Sequence, residues 1–343
     1  MAEITVMGAG VFGLSVAWAC LRRGAKVRVI DPAGPGAGAS GGVVGALAPH
    51  VPENWNAKKA FQLESLLMAE AFWAGVEETG GVSAGYARTG RIQPIADDAG
   101  LALAEARAKT AKTLWQDHAI WQVIDAGDAP WAPVSPSGKL IHDTLSARIH
   151  PRRACAALAA AITTAGGEIL SAGSPRGPVI WATGAQDLAE MSAQHSRIVG
   201  QGIKGQAALV HFDGPTLPQL FADTLHIIPH ADGTVAIGST TEREFTDPTG
   251  TDAQLDDIIE RAMRAVPVLH GARVVERWAG LRPRSRSRAP MLGLHPMRPG
   301  AYIANGGFKI GFGMAPKAAE LMADLVLDGR DSIPQDFKPE ASL

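Results

Sequence analysis

Gly8, Gly10 and Gly13 stand in the run Gly8-Ala9-Gly10-Val11-Phe12-Gly13, and an acid, Asp31, follows at the end of the next apolar stretch. Glycines at this spacing suit a phosphate-binding turn. Gly8 permits the tight bend, Gly10 lets a pyrophosphate approach the backbone, and Gly13 lets a helix lie close on a strand. Val11 and Phe12 then open a helix whose N–H groups and positive dipole end would face the phosphates. Asp31, with Pro32 beside it, is placed to accept hydrogen bonds from a ribose. A second pattern lies near the C-terminus, where Arg282, Arg284, Arg286 and Arg288 alternate. An extended backbone would carry all four to one side as a cationic stripe suited to phosphate, although a solvated basic loop paired with acids is the plainer reading.

The elements around the glycines have the order such a turn requires. Ile4–Met7 reads as a strand, Leu14–Arg23 as a buried helix stopped by Gly24, and Lys26–Ile30 as a second strand. NAD and FAD share this fingerprint. The next segment, Gly34–Gly45, is a glycine- and alanine-rich loop around Ser40, able to lie along a long cofactor. Helices are expected at Lys58–Glu78, Leu101–Gln116, Pro151–Ala165, Leu255–Val266 and Ala315–Leu327. Strands are expected at Arg88–Ile95, Glu168–Leu170, Pro178–Gly184, Lys204–Gln206, Leu225–His230 and Val235–Thr240.

A chain of 343 residues exceeds the usual span of one core, which predicts two domains sharing an interface. Hydrophobic residues at 46% and charged residues at 19% exclude disorder for the bulk of it. With 32 basic and 34 acidic residues the net charge is −2, which argues against a broad grip on nucleic acid. The two cysteines, Cys20 and Cys155, form no metal-ligand spacing and no disulfide framework, as in a reducing cytosol. No metal and no membrane span are expected.

Gly38-Ala39-Ser40-Gly41 followed by Gly45-Ala46-Leu47-Ala48-Pro49-His50 resembles the second cofactor loop of the D-amino-acid oxidase superfamily, glycine oxidases above all. The loop spacing also resembles the oxidase domain of the bacterial bifunctional enzyme that modifies wobble uridine in tRNA. Ala182-Thr183-Gly184 and Asn305-Gly306-Gly307-Phe308-Lys309-Ile310-Gly311 continue the likeness, which is thin from about Asp97 to Leu145. The resemblance implies an α/β fold: a Rossmann-like FAD-binding domain with a doubly wound, mostly parallel sheet (1–80, 140–195 and 285–343), and an α+β substrate domain on an antiparallel sheet (81–139 and 196–284). The small sheet the family places between Leu170 and Val179 is missing here.

By this resemblance FAD, noncovalent because neither cysteine is near the C-terminal loop, would contact Ala39, Ser40, Gly45, Ala46, Leu47, Thr183, Gly184, Arg282 and Gly306–Gly311. Arg282 would fork onto a substrate carboxylate, as a planar guanidinium suits. His226 replaces a tyrosine that also touches the carboxylate, and Thr241 replaces an apolar pocket residue. Gly307 and Lys309 replace the family's histidine and arginine. Lys309 would support negative charge on reduced flavin or meet the substrate acid. The implied reaction is oxidation of a small amino acid or N-substituted glycine to its imine, which water hydrolyses, with O2 or another acceptor taking the electrons. A tRNA-directed enzyme trimming a carboxymethylamino group and a non-catalytic flavin-fold protein are the alternatives. Oligomeric state is open.

Overall fold

The computed structural model describes residues 2–343. Two sheets organise the chain. The first has six strands in the order Met291–Leu294, Tyr302–Asn305, Val179–Trp181, Glu3–Met7, Lys26–Ile30 and Glu168–Leu170, all parallel except the first. Parallel strands must be covered on both faces, and the apolar run Ile4–Val6 is accordingly buried. Helices Val11–Arg22, Ala57–Gly80, Pro151–Thr164 and Gly311–Asp328 pack together over this sheet in the largest core cluster. Pro151 sits in the first turn of its helix, where no amide hydrogen is needed. Gly80 allows its helix to touch the backbone of another, since a Cβ there would stand 2.7 Å from the Ala161 nitrogen.

The second sheet has eight strands: Val274–Ser285, Gly200–His211, Thr234–Gly238, Leu225–Pro229, Gln219–Ala222, Arg91–Pro94, Lys139–Asp143 and Trp121–Asp125. It is antiparallel except between Gln219–Ala222 and Arg91–Pro94. Helix Ala253–Ala265 covers one face, burying Leu255, Ile258, Ile259 and Ala262 against Val210, Ile227 and Ile237. The α/β expectation holds, and the predicted elements recur within about four residues of their expected ends, except that the strand expected at Lys204–Gln206 runs from Gly200 to His211.

Three expectations need correction. Lys139–Asp143 pairs with Arg91–Pro94 and Trp121–Asp125, so this strand belongs to the antiparallel sheet although the boundary was expected at residue 140. The buried ion pair between Arg91 and Asp143, at 2.9 Å, locks it there. The arginine stripe does not form either. The strand ends at Ser285, and Arg288 has a left-handed backbone (φ 61°), so Arg286 and Arg288 leave the line set by Arg282 and Arg284. Thr241 is exposed, outside the cavity described below. Residues 171–178 run as a loop where the family sheet is missing.

Candidate active site

A cavity of about 1040 Å³ is lined by residues of both sheets. That lies at the upper end of the ~300–1,000 Å³ usual for ligand sites, as a dinucleotide with a small substrate would need. The glycine turn contributes Gly8, Gly10, Val11 and Phe12 to the lining. Gly8 has φ 105°, and a Cβ there would stand 2.5 Å from the Ala182 carbonyl oxygen. Gly13 is not in the lining. Its part is packing, because a Cβ would come within 2.0 Å of the Gly8 carbonyl oxygen. Around Gly10 the nearest atom to such a Cβ is Ser40 Oγ at 3.2 Å, which leaves the cavity side open to a ligand.

Ser40 Oγ accepts the Val11 N–H at 2.9 Å, while the N–H groups of Phe12 and Gly13 have no acceptor within the helix. Asp31 lines the cavity, and its two oxygens accept the Ala9 and Ala33 N–H groups at 2.8 and 3.0 Å. Part of the acid therefore braces the turn itself. Its remaining lone pairs are what a ribose would use. Pro32, Ala39, Ser40, Gly45, Ala46, Thr183 and Gly184 also line the cavity.

Leu47 and Ile310 do not. Ala46–Leu47 is a short strand, so its side chains alternate, and Leu47 points into the core. Ile310 precedes the last helix and packs on the same core. From the C-terminal loop, Gly306, Gly307, Phe308, Lys309 and Gly311 reach the cavity. Gly307 leaves no room for the family's histidine: a Cβ would stand 2.9 Å from Gly311 Cα and 3.1 Å from the Phe12 ring. Asn305 ties this loop to the Thr183-Gly184 turn, donating from Nδ2 to the Gly184 carbonyl at 2.9 Å and accepting the Gly306 N–H at 2.7 Å. Asn305→Ala strands both buried partners at a cost of about 2–4 kcal/mol. The variant is expected to lose bound cofactor on dialysis that the wild type keeps, as read by absorbance.

The three expected chemical side chains share this cavity. Arg282 is 8% exposed, with Nη1 donating to Ser239 Oγ at 2.6 Å and Nη2 to the Thr240 carbonyl at 2.7 Å, while its buried Nε has no partner among the described residues. Burial lowers its pKa to about 10, so it stays cationic. His226 Nδ1 is likewise buried without a partner. Burial, with Arg91 and Lys309 adding, pulls this imidazole down to about 3, so it is neutral at physiological pH. Lys309 is brought to about 8, by burial first and then by Arg282.

Trp278 and Ser239 were missed in the sequence, and both line the cavity. Trp278 carried a readable signal, since it alternates with Gly280 and Arg282 on one strand. Gly280 makes room for its ring, which a Cβ there would approach to 2.6 Å. Among the described residues, no cluster of His, Cys, Asp or Glu could hold a metal, and no helix is long and apolar enough to cross a membrane.

Residues 3–325 match the family model described as FAD dependent oxidoreductase. The chain belongs to this family. The glycine-turn cradle, the open helix N-terminus and the cavity size fit FAD. A glycine oxidase from Pseudomonas putida is 34% identical over 143 residues, which are 41% of this chain and 39% of that enzyme. The chain thus spans about two fifths of that relative in the match. A glycine oxidase from Geobacillus kaustophilus is 24% identical over 94% of this chain and 92% of its own. Among solved structures, iminodiacetate oxidase from Chelativorans sp. BNC1 superposes with a TM-score of 0.85 at 23% identity, covering 98% of both chains. L-proline dehydrogenase from P. horikoshii gives 0.81 at 19% identity, covering 98% of this chain and 96% of that one. These likenesses establish the shared fold.

Proposed function

We propose that this FAD-dependent oxidoreductase oxidises the C–N bond of a small amino acid or an N-substituted glycine. The observation that carries the reading is Arg282, a buried cation whose Nε lacks a partner and which lines the same cavity as the dinucleotide cradle. The curated glycine oxidases and the iminodiacetate oxidase structure support the substrate class. FAD held there supplies the acceptor for the substrate's α-hydride. The substrate nitrogen loses a proton and its lone pair closes the C=N bond, and water then adds to give the oxo acid and free amine, with O2 as final oxidant. Arg282 fixes the carboxylate and so the reacting carbon. His226, neutral, hydrogen-bonds at the same end.

Residues 2–80, 144–195 and 286–343 form the FAD-binding unit in this reading, and 81–143 with 196–285 the substrate unit. Gly8, Gly10, Phe12, Ser40, Asp31 and Thr183-Gly184 hold the dinucleotide, and the Gly306–Lys309 loop covers the ring. Binding is noncovalent. With both cysteines buried and free, the reaction belongs in a reducing cytosol.

The test is an absorbance spectrum of the purified holoenzyme before and after anaerobic addition of glycine, sarcosine, proline and D-amino acids. Bleaching by one member is the expected result. A yellow protein that none of them bleaches, N-substituted glycines included, overturns the reading.

A further inference from the structure

Three cations surround the Phe308 ring, Arg282 and Lys309 from the cavity lining and Arg284 from outside it. Arg282 Cζ lies 5.4 Å from its centroid, Arg284 Cζ 5.7 Å and Lys309 Nζ 5.9 Å. None of the three forms a salt bridge with a carboxylate of the described residues, although the chain as a whole carries a charge of −2. Arg243 and Arg288 add further repulsion at Arg284. The carboxylates nearby are already engaged. Glu242 lies behind Arg282, buried among the Thr240 hydroxyl, Gln206 Nε2 at 3.1 Å and Lys204 Nζ at 3.4 Å. Asp31, the one acid in the cavity lining, is held by the glycine turn.

One α-carboxylate on Arg282 therefore leaves two like charges at the same ring with no carboxylate of the described residues paired to them. Gathering such charges is unfavourable unless an anion joins them. Arg282 is buried, which strengthens its share of the repulsion and of its relief, while Arg284 is half-buried and Lys309 exposed.

We infer that the substrate is an amino acid with two acid groups, the α-carboxylate on Arg282 and a second carboxylate beside Lys309, with Arg284 just outside the lining adding its charge. This rests on the amino-acid reading above and narrows it. Of the groups facing Lys309, Arg282 stays charged to about 10 and His226 is already neutral, so Lys309 is the group that changes charge near pH 8. The second anchor weakens as pH rises through that value.

Non-reacting probes test this on the holoenzyme. Acetate, malonate and succinate are titrated by perturbation of the flavin spectrum, beside anaerobic reduction by glycine, D-alanine, D-aspartate and iminodiacetate. The expected result is that a dianion binds at least about 30-fold tighter than acetate at pH 7, with the advantage falling above pH 8. Lys309→Met should bring the dianion-to-acetate ratio down towards one, and Arg284→Gln should lower it by a smaller factor. Equal binding of mono- and dianions by the wild type overturns the inference whatever the variants do. A ratio unmoved in both variants overturns it too. Tight dianion binding without reduction by any of the four amino acids would uphold the two-anion site and count against the oxidation reading, which the wider panel with sarcosine and proline then decides.

Discussion

Arg282→Met is expected to yield a protein that still carries FAD yet has lost kcat/KM by about 10²–10⁴-fold, chiefly through a rise in KM. A charge-assisted fork onto a carboxylate in a water-poor site is worth about 3–5 kcal/mol, and removing the cation leaves the anion desolvated and unpaired. Part of the effect would be structural. Arg282 also satisfies Ser239 Oγ and the Lys204 and Thr240 carbonyls, and methionine strands all three. Arg282→Lys separates the two effects, because it keeps the charge but cannot make the planar fork. Steady-state kinetics with a melting curve for each variant would decide. A KM within threefold of wild type in the methionine variant would remove Arg282 from substrate binding.

The second large effect concerns two glycines, Gly10 and Gly13, that stand three residues apart in sequence and play different parts. Gly13→Ala forces a methyl to within 2.0 Å of the Gly8 carbonyl oxygen and 3.2 Å of Ala182 Cβ. The first contact is main chain and has nowhere to go, so the helix must lift from its strand, costing about 3 kcal/mol or more. In Gly10→Ala the methyl meets only the Ser40 hydroxyl, at 3.2 Å. That variant should fold and melt close to wild type but bind FAD weakly, because the methyl occupies the approach of the pyrophosphate. Melting temperature and flavin content together read the difference. Identical behaviour in the two variants would contradict the separate roles given to them.

The glycine turn was legible because its requirements are local: a bend, a close approach and a tight helix crossing are each properties of a few backbone atoms. The same holds for Pro151 and for Asp31, although the sequence did not reveal that the acid also braces Ala9 and Ala33. Positions that depend on which way a strand faces were harder. Leu47 was grouped with Ala46, and alternation sends it the other way. Trp278 obeys the same alternation relative to Arg282, but an aromatic in a strand reads equally well as core. The arginine run shows the limit most clearly, since period-two spacing predicts a common face only while the strand lasts, and Arg288 turns out of it. Residues 140–143 fall across the expected boundary because one partner strand, Arg91–Pro94, is distant in sequence, and the Arg91–Asp143 pair that secures them has no local signature.

The cavity takes its walls from residues as early as Met7 and as late as Phe312. A ribosome adding ~10 residues per second needs roughly half a minute to pass from one to the other. Through that interval Glu3–Met7 waits for its neighbour Val179–Trp181, and the helix Val11–Arg22 waits for Gly311–Asp328. The cavity that would take the flavin is therefore complete only on the nearly finished chain, because the crossing of chain ends that builds the site also sets when it can form.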